Sequence, residues 1–273
     1  MYDFLNLFSY SFVMRAFVVG ILVSLCASLL GVTLVLKKYS MIGDGLTHVG
    51  FGAMTVALSL NFAPLFIAVP VMFVCAFLLL KLRENSKINS DAAIALISSS
   101  SIAIGVISAS LTGGMNVDVY GYMFGSILAL TKADVVLCLV LSLIILGIYL
   151  FLYNKIFAVT FDEPFASASG INTKKFNTMF SILTAFTVII GMRIMGTMLI
   201  SGLIIFPAIS AMGLFASYKK VTIAAVIISL VSFVTGMIAS CIFSYIPVGA
   251  GVVVTNLIIL IITRIFKYVF LKS

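Results

Sequence analysis

The sequence is a succession of apolar stretches, each close to the length that a helix needs to cross a lipid bilayer. Such a helix takes about 20 mostly apolar residues, because the hydrocarbon core is about 30 Å thick and the helix rises about 1.5 Å per residue. Nine stretches have this length, and they cover approximately 12–36, 41–60, 62–82, 91–111, 133–153, 176–193, 195–216, 221–244 and 248–268. Eight spans result instead if one segment is re-entrant or if the second stretch does not cross fully.

Composition excludes an ordinary soluble protein. Hydrophobic residues make up 63% and charged residues 9% of the 273 positions, whereas soluble domains carry about 25% charged residues. No polar stretch is long enough to fold separately. The sequence therefore predicts an all-α, polytopic helical membrane protein that forms a single domain over residues 1–273 and contacts the lipid bilayer. The net charge of +8 is explained by membrane topology, and it does not indicate nucleic-acid binding.

The distribution of basic residues predicts the orientation of the chain. Cytoplasmic loops of membrane proteins carry an excess of Lys and Arg. Nine spans, with the N-terminus outside and the C-terminus cytoplasmic, place thirteen of the sixteen basic residues on the cytoplasmic side, Lys37 among them. Arg15, Lys132 and Arg193 are left outside. An even number of spans would put one set of loops on the wrong side, unless the irregular segment absorbs the difference.

Asp44 and His48 are ionisable residues inside one of the apolar stretches, and His48 is the only histidine of the chain. Residues four apart lie on one face of a helix, one turn from each other, so the carboxylate and the imidazole should point the same way. An ionisable group at membrane depth is costly, and it normally faces a pathway or a partner. Imidazole and carboxylate groups are also ligands of zinc, manganese and iron.

Two structural explanations of this pair stay open at this point. Asp44 could cap the start of a helix just after Gly43, and His48 could be a buried histidine bonded to a carbonyl group. The four cysteines do not predict a second metal site, because they are scattered over separate stretches without a CxxC pair.

Residues 112–132, external in this topology, are rich in glycine and predict an irregular or re-entrant piece. Asp118 in this stretch would either meet a cation there or be an ordinary solvated loop residue, and the second reading is the commoner one.

Residues 154–175 form the longest loop on the predicted cytoplasmic side, and they contain the signals of a short helix. Asp162 can cap a helix whose first turn holds Glu163 and Pro164, because acids suit the positive end of a helix and the missing proline N–H is harmless there. Gly170 would end the helix. This helix is either an ordinary connector or a docking element for a partner.

Three stretches together resemble the permease subunits of the ABC importers for zinc, manganese or iron ions. The first, residues 36–48, joins basic residues and a serine to a Gly-Asp-small-Leu-Ser/Thr-His run. In the second, residues 161–171, this chain has Glu163 before Pro164, whereas the family usually has the reverse order. The third covers residues 196–211. The resemblance extends over nearly the whole chain, and its motifs are specific in combination.

The resemblance implies a type II ABC-importer-like permease, multi-pass in a bacterial cell membrane, without a permanently bound cofactor. Asp44 and His48 would contact the transported divalent metal (Mn²⁺, Zn²⁺ or Fe²⁺), and residues 161–171 would form a coupling helix that docks on a cytoplasmic ATP-binding subunit. The coupling residues would be Phe161, Asp162, Glu163, Pro164, Phe165, Ala166 and Gly170. An extracellular metal-binding protein would deliver the ion.

The family also implies a homodimer. Two copies of the Asp44–His48 pair around a two-fold axis would supply four ligands, enough for a tetrahedral shell. Pro207 lies inside a predicted span, where it removes one backbone hydrogen bond and can kink or hinge the helix.

The sequence contains no GxxxxGK[ST] phosphate-binding loop, so ATP hydrolysis would belong to another subunit. One competing hypothesis is a secondary, proton-coupled transporter in which Asp44 and His48 relay protons. Another is an ABC permease for a metal chelate or vitamin, although such a cargo favours a wider and less ionic path. A metalloenzyme is disfavoured, because one histidine cannot supply the usual zinc ligands.

Overall fold

The computed structural model describes residues 10–85, 90–111, 117–125, 132–197, 200–243 and 245–270. Regular structure in these ranges is α-helical, which confirms the predicted all-α class. The helices are α1 (Ser11–Leu36), α2 (Ser40–Ser59), α3 (Pro64–Asn85), α4 (Ser90–Leu111), α5 (Val117–Phe124), α6 (Lys132–Phe151), α7 (Tyr153–Phe161), α8 (Glu163–Ala168), α9 (Thr173–Met195), α10 (Ile200–Leu214), α11 (Tyr218–Ile242) and α12 (Val248–Phe270).

Each predicted span coincides with one of the longer helices in the described ranges, namely α1–α4, α6 and α9–α12. Seven of these helices are long and apolar enough to cross a membrane, judged by length and composition. The other two are α2, which contains Asp44, His48 and four glycines, and α10, which has 15 residues. Helix length and composition therefore support seven spans, and the nine-span count and its orientation stay predictions.

Helix α1 lies at the centre of the bundle. Of its most apolar window, 72% is buried inside the protein, the largest share among the seven candidate spans. It packs against α6, α9, α10 and α11, whereas α2 packs chiefly against α3, α4 and α9. The two groups of helices, α2–α4 and α10–α12, are joined through α9 and through a direct contact between α2 and α10.

Glycines allow some of these helices to approach at backbone distance. A Cβ atom on Gly52 in α2 would lie 2.5 Å from the carbonyl oxygen of Ser101 in α4. Gly31 in α1 meets the carbonyl oxygen of Ile204 in α10 in the same way. Close contact of this kind holds helices together in a bilayer, where lipid removes the hydrophobic driving force between them.

Helix α5 occupies part of the stretch that was predicted to be irregular or re-entrant. It packs against α2, α9 and α12, and it buries Val119 and Met123. Gly125 follows it with a φ of +85°, a conformation that favours glycine. A helix of 8 residues cannot cross a bilayer, so the described part of the stretch is a short helix and not a further span. The side chain of Asp118 lies outside the described residues.

The segment between α6 and α9 contains two helices, although the sequence predicted one. Asp162 ends α7 and caps α8, and its Oδ1 accepts a hydrogen bond from the Phe165 N–H at 2.8 Å. Gly170 follows α8 with a φ of +84°. The predicted cap and stop signals of α8 are therefore confirmed. Helix α7 was not predicted, and it buries Ile156 and Val159.

Candidate functional site

Asp44 and His48 lie in successive turns of α2 and share one face of it, as predicted. The Oδ2 atom of Asp44 lies 3.7 Å from the Nε2 atom of His48. Two ligands about 2.1 Å from one tetrahedral metal ion lie roughly 3.4 Å apart, so the two atoms are spaced much as ligands of a common ion would be. The side chains of Asp44 and His48 are 34% and 21% exposed, so both can be reached from outside this chain.

Neither structural explanation of this pair is found. The residue that precedes α2 is Tyr39, and no side chain caps the helix. Asp44 lies inside α2, so the interpretation as a cap is wrong. The Nδ1 atom of His48 is buried and has no hydrogen-bond partner among the described residues. Buried polar atoms normally have a hydrogen-bond partner. Contacts within the described residues therefore do not explain why a histidine is placed here.

The glycines on either side of Asp44 lie on the sides of α2 that neighbouring helices cover. A Cβ atom on Gly43 would lie 3.6 Å from Ile204, so α10 covers that side of α2. A Cβ atom on Gly45 would lie 2.9 Å from Ile94, so α4 covers another side. Asp44 and His48 lie on the strip that these neighbouring helices leave exposed.

One chain supplies few metal ligands at this strip. Within the described part of the chain, no three His, Cys, Asp or Glu side chains gather where they could hold a metal ion. The cysteines in this part of the chain form no disulfide and lie on separate helices. A four-coordinate ion needs more than the two donors of this pair, so a full shell would have to draw on water or on a second copy.

The predicted coupling residues around α8 form a mostly exposed surface. Phe161 and Phe165 are 57% and 66% exposed, although both are large and apolar. Ala166 is buried. The exposed members are Phe161, Asp162, Pro164, Phe165 and Gly170. Exposed aromatic side chains at the end of α7 and on the capped helix α8 suit a surface that docks on another protein.

Glu163 differs from the exposed coupling residues, because its carboxylate binds residues of the bundle. Its Oε2 accepts a hydrogen bond from Lys37 Nζ at 3.3 Å, and its Oε1 accepts one from Asn177 Nδ2 at 2.9 Å. Lys37 Nζ also donates to Asn177 Oδ1 at 2.5 Å. Sequence reasoning missed this cluster: Lys37 was counted as a loop charge, and Asn177 was not considered. No local pattern connects the three residues.

Pro207 lies inside α10 and is buried. A proline at this position cannot donate a backbone hydrogen bond to the carbonyl of Leu203, one turn earlier. Because α10 packs against α1, α11 and α12, any bend there would act on the centre of the bundle. The role of Pro207 as a hinge stays a prediction.

Comparisons with known proteins agree over most of the chain. The model of the ABC 3 transport family matches residues 9–267. The high-affinity zinc uptake system membrane protein ZnuB of Buchnera aphidicola is 30% identical over 250 residues, which cover 91% of this chain and 95% of that protein. The manganese transport system membrane protein MntC of Listeria monocytogenes is 26% identical over 264 residues, covering 96% of this chain and 92% of that one.

A solved structure supports the same fold. PsaBC from Streptococcus pneumoniae in complex with Fab superposes with a TM-score of 0.85 and covers 99% of both chains. The sequence identity is 23%, so this similarity is evidence about architecture alone.

Proposed function

Because the chain belongs to the ABC 3 transport family, we propose that it is the membrane-spanning permease of an importer for zinc or manganese ions. Its relatives ZnuB and MntC are named for zinc uptake and manganese transport. The observation that carries the proposal is the Asp44–His48 pair, which places one oxygen and one nitrogen donor 3.7 Å apart on an exposed strip of α2. The family match favours this function over a proton-coupled secondary transporter.

In this proposal the ion passes between Asp44 and His48. A transported ion has to be released again, so a site with few protein ligands suits it better than a complete cage. Two copies of the chain, related by a two-fold axis, would bring four such ligands together. The partial exposure of both side chains and the unpartnered Nδ1 of His48 support a site that another molecule completes.

The proposed topology has nine spans, with the N-terminus outside and the C-terminus in the cytoplasm. Helix α2 is not apolar enough to count as a span by composition, but a helix that lines an ion path is expected to carry polar groups. Helix α10 has 15 residues, and its close packing against α1 supports its position inside the bundle. The excess of basic residues on one side supports the orientation.

A separate ATP-binding subunit would drive transport from the cytoplasmic side, docking on α8. The exposed rings of Phe161 and Phe165 support this assignment. An extracellular metal-binding protein would deliver the ion. The chain itself would then be a transport subunit, and the energy of ATP hydrolysis would reach it through α8.

Elemental analysis of cells tests this function. Cells that lack the gene should lose zinc or manganese selectively, and the wild-type gene should restore the metal. His48→Ala should not restore it at equal abundance in the membrane. Val56→Ala truncates another α2 side chain, two turns farther along, and should restore it. Unchanged metal content in the deletion strain would contradict metal import, and full rescue by His48→Ala would contradict the proposed ion path.

A further inference from the structure

Lys37 is a buried lysine at the junction between α1 and α2. It follows the last residue of α1, and its side chain is 6% exposed. Lysine is almost never buried unless its charge is paired, because removing an ammonium group from water is costly. The position therefore needs an explanation beyond the excess of positive charge in cytoplasmic loops.

The partners of Lys37 come from two other elements. Its ammonium group binds Glu163 at the start of α8 and Asn177 in the second turn of α9. Asn177, which is 2% exposed, also donates to Glu163. The ring of Tyr39 lies beside the same ammonium, 5.2 Å from it to the ring centroid. The three side chains thus close a ring of hydrogen bonds in which each residue binds the other two.

This ring joins α8 to α9 and to the α1–α2 junction through charged hydrogen bonds. Ala166 is the one buried residue of α8. The preceding helix is held differently: in α7, the rings of Phe157 and Phe161 lie 5.4 and 5.8 Å from the ring of Tyr218 in α11. Aromatic contacts tolerate sliding, whereas charged hydrogen bonds are directional. A displacement of α8 therefore acts most directly on Lys37 and Asn177.

The segment from Lys37 to Asp44 is short and tightly packed. Lys38 adopts a φ of +58°, and the N–H of Tyr39 donates to the Leu34 carbonyl at 2.6 Å, so the turn is tightly closed. Tyr39 is buried, and α2 begins at the next residue. From the start of α2, Asp44 is four residues away, or about 6 Å along the helix axis. A shift of Lys37 would thus reach the Asp44–His48 pair through a short, packed connection.

We propose that Lys37, Glu163 and Asn177 form a joint that transmits movement of α8 to the metal-binding strip of α2. The three are positioning residues, because they act on Asp44 and His48 through the α1–α2 turn and do not touch the ion. Glu163 is the accessible member, with a side chain that is 40% exposed. A protein that docks on α8 therefore contacts the joint at this residue. The inference rests on the proposed function, in which α8 receives the ATP-binding subunit.

The test uses the permease together with its ATP-binding subunit in proteoliposomes, with zinc and manganese chloride as probes and with the extracellular metal-binding protein added to deliver them. Lys37→Met and Glu163→Gln should each lower metal uptake by at least about fivefold, while ATP hydrolysis stays within about twofold of wild type and the ATP-binding subunit still co-purifies. Metal uptake by the double variant should be no lower than that of the less active single variant, because the two residues act as one unit.

Lys220→Met is the matched control. It removes the same charge from an exposed residue in the first turn of α11, outside the joint and the α1–α2 turn, and it should transport like wild type. Wild-type metal uptake in both Lys37→Met and Glu163→Gln would overturn the proposed joint. Losses of uptake that add up in the double variant would overturn it as well. Loss of the ATP-binding subunit from the Lys37→Met complex would also overturn it, because the cluster would then only shape the docking surface.

Hydrogen exchange on the purified permease separates this inference from the proposed function. Lys37→Met should raise amide exchange both in α8 and in the first turns of α2, around residues 40–48, whereas Lys220→Met should not. Failure of the wild-type complex to move either metal would count against the proposed function alone. Unchanged exchange in α2 would overturn the joint, whatever the cargo is.

Discussion

Two acid–base pairs of this protein, Asp44–His48 and Glu163–Lys37, are satisfied to very different degrees. In the first, the closest atoms are 3.7 Å apart, both side chains are partly exposed, and His48 Nδ1 has no partner among the described residues. In the second, the lysine is buried, and each carboxylate oxygen accepts a hydrogen bond. The turn between α1 and α2 separates Lys37 from the first pair by only a few residues.

The difference follows from what each pair has to do. A buried charge is tolerated when it is paired and its remaining hydrogen bonds are made. The joint meets this condition, so it can persist throughout a transport cycle. A transport site has to exchange its partner in every cycle, and protein ligands that satisfied each other fully would exclude the ion. The transport pair should therefore have unfilled hydrogen bonds, whereas the permanent joint should have none.

Making the Asp44–His48 pair permanent should abolish transport without harming the fold. His48→Lys places an ammonium group four residues after Asp44, an arrangement that stabilises a helix by about 0.3–0.5 kcal/mol. Metal accumulation should fall to the level of the deletion strain, while the midpoint of thermal unfolding stays within about 2 °C of wild type. His48→Gln, which forms no ion pair with Asp44, should retain more accumulation. If His48→Lys accumulates metal normally, the ion does not pass this pair.

Charge reversal tests whether the joint needs one particular charge at each position or only two opposite charges in contact. Glu163→Lys brings a second ammonium toward the buried Lys37. Removing one partner of a fully buried pair costs about 3–5 kcal/mol, and solvent screening at Glu163, which is 40% exposed, brings the cost below that range. We expect lost uptake and a lower unfolding midpoint.

The double exchange Lys37→Glu with Glu163→Lys restores opposite charges, so it should recover part of both uptake and stability. Uptake and thermal unfolding of the two single variants and the double variant are the measurements. A double variant no better than the worse single one would argue that packing around Lys37, and not its charge, maintains the junction.

Local signals in the sequence were sufficient for α8 and for the shared face of α2. Asp162, Pro164 and Gly170 are close in sequence, and α8 begins and ends where they predict. The spacing of Asp44 and His48 was enough to put them on one face. These features depend on backbone geometry over one or two turns, which the order of residues determines directly.

The joint could not be predicted in this way. Lys37 is separated from Glu163 by 126 positions and from Asn177 by 140, so their contact depends on how α1, α8 and α9 pack. Helix α7 is a different case. Ile156 and Val159 are three residues apart and are both buried, so the helical spacing was present in a segment that was interpreted as part of a connecting loop.

The smallest expected effect concerns the cap of α8, which lies next to the joint but is not part of it. Asp162 accepts a hydrogen bond from the Phe165 N–H at 2.8 Å, and losing such a cap costs about 1 kcal/mol. Asp162→Ala should therefore fray the first turn of α8 and lower uptake about two- to threefold, whereas Asp162→Asn, an equally good cap, should stay near wild type. Uptake at matched membrane abundance distinguishes the two variants.

Glu163 remains bonded to Lys37 and Asn177 in both variants, so the joint should hold the rest of α8 in place. A loss in Asp162→Ala as severe as that in Lys37→Met would mean that the cap and the joint act as one unit, and that force reaches α2 only through an intact α8.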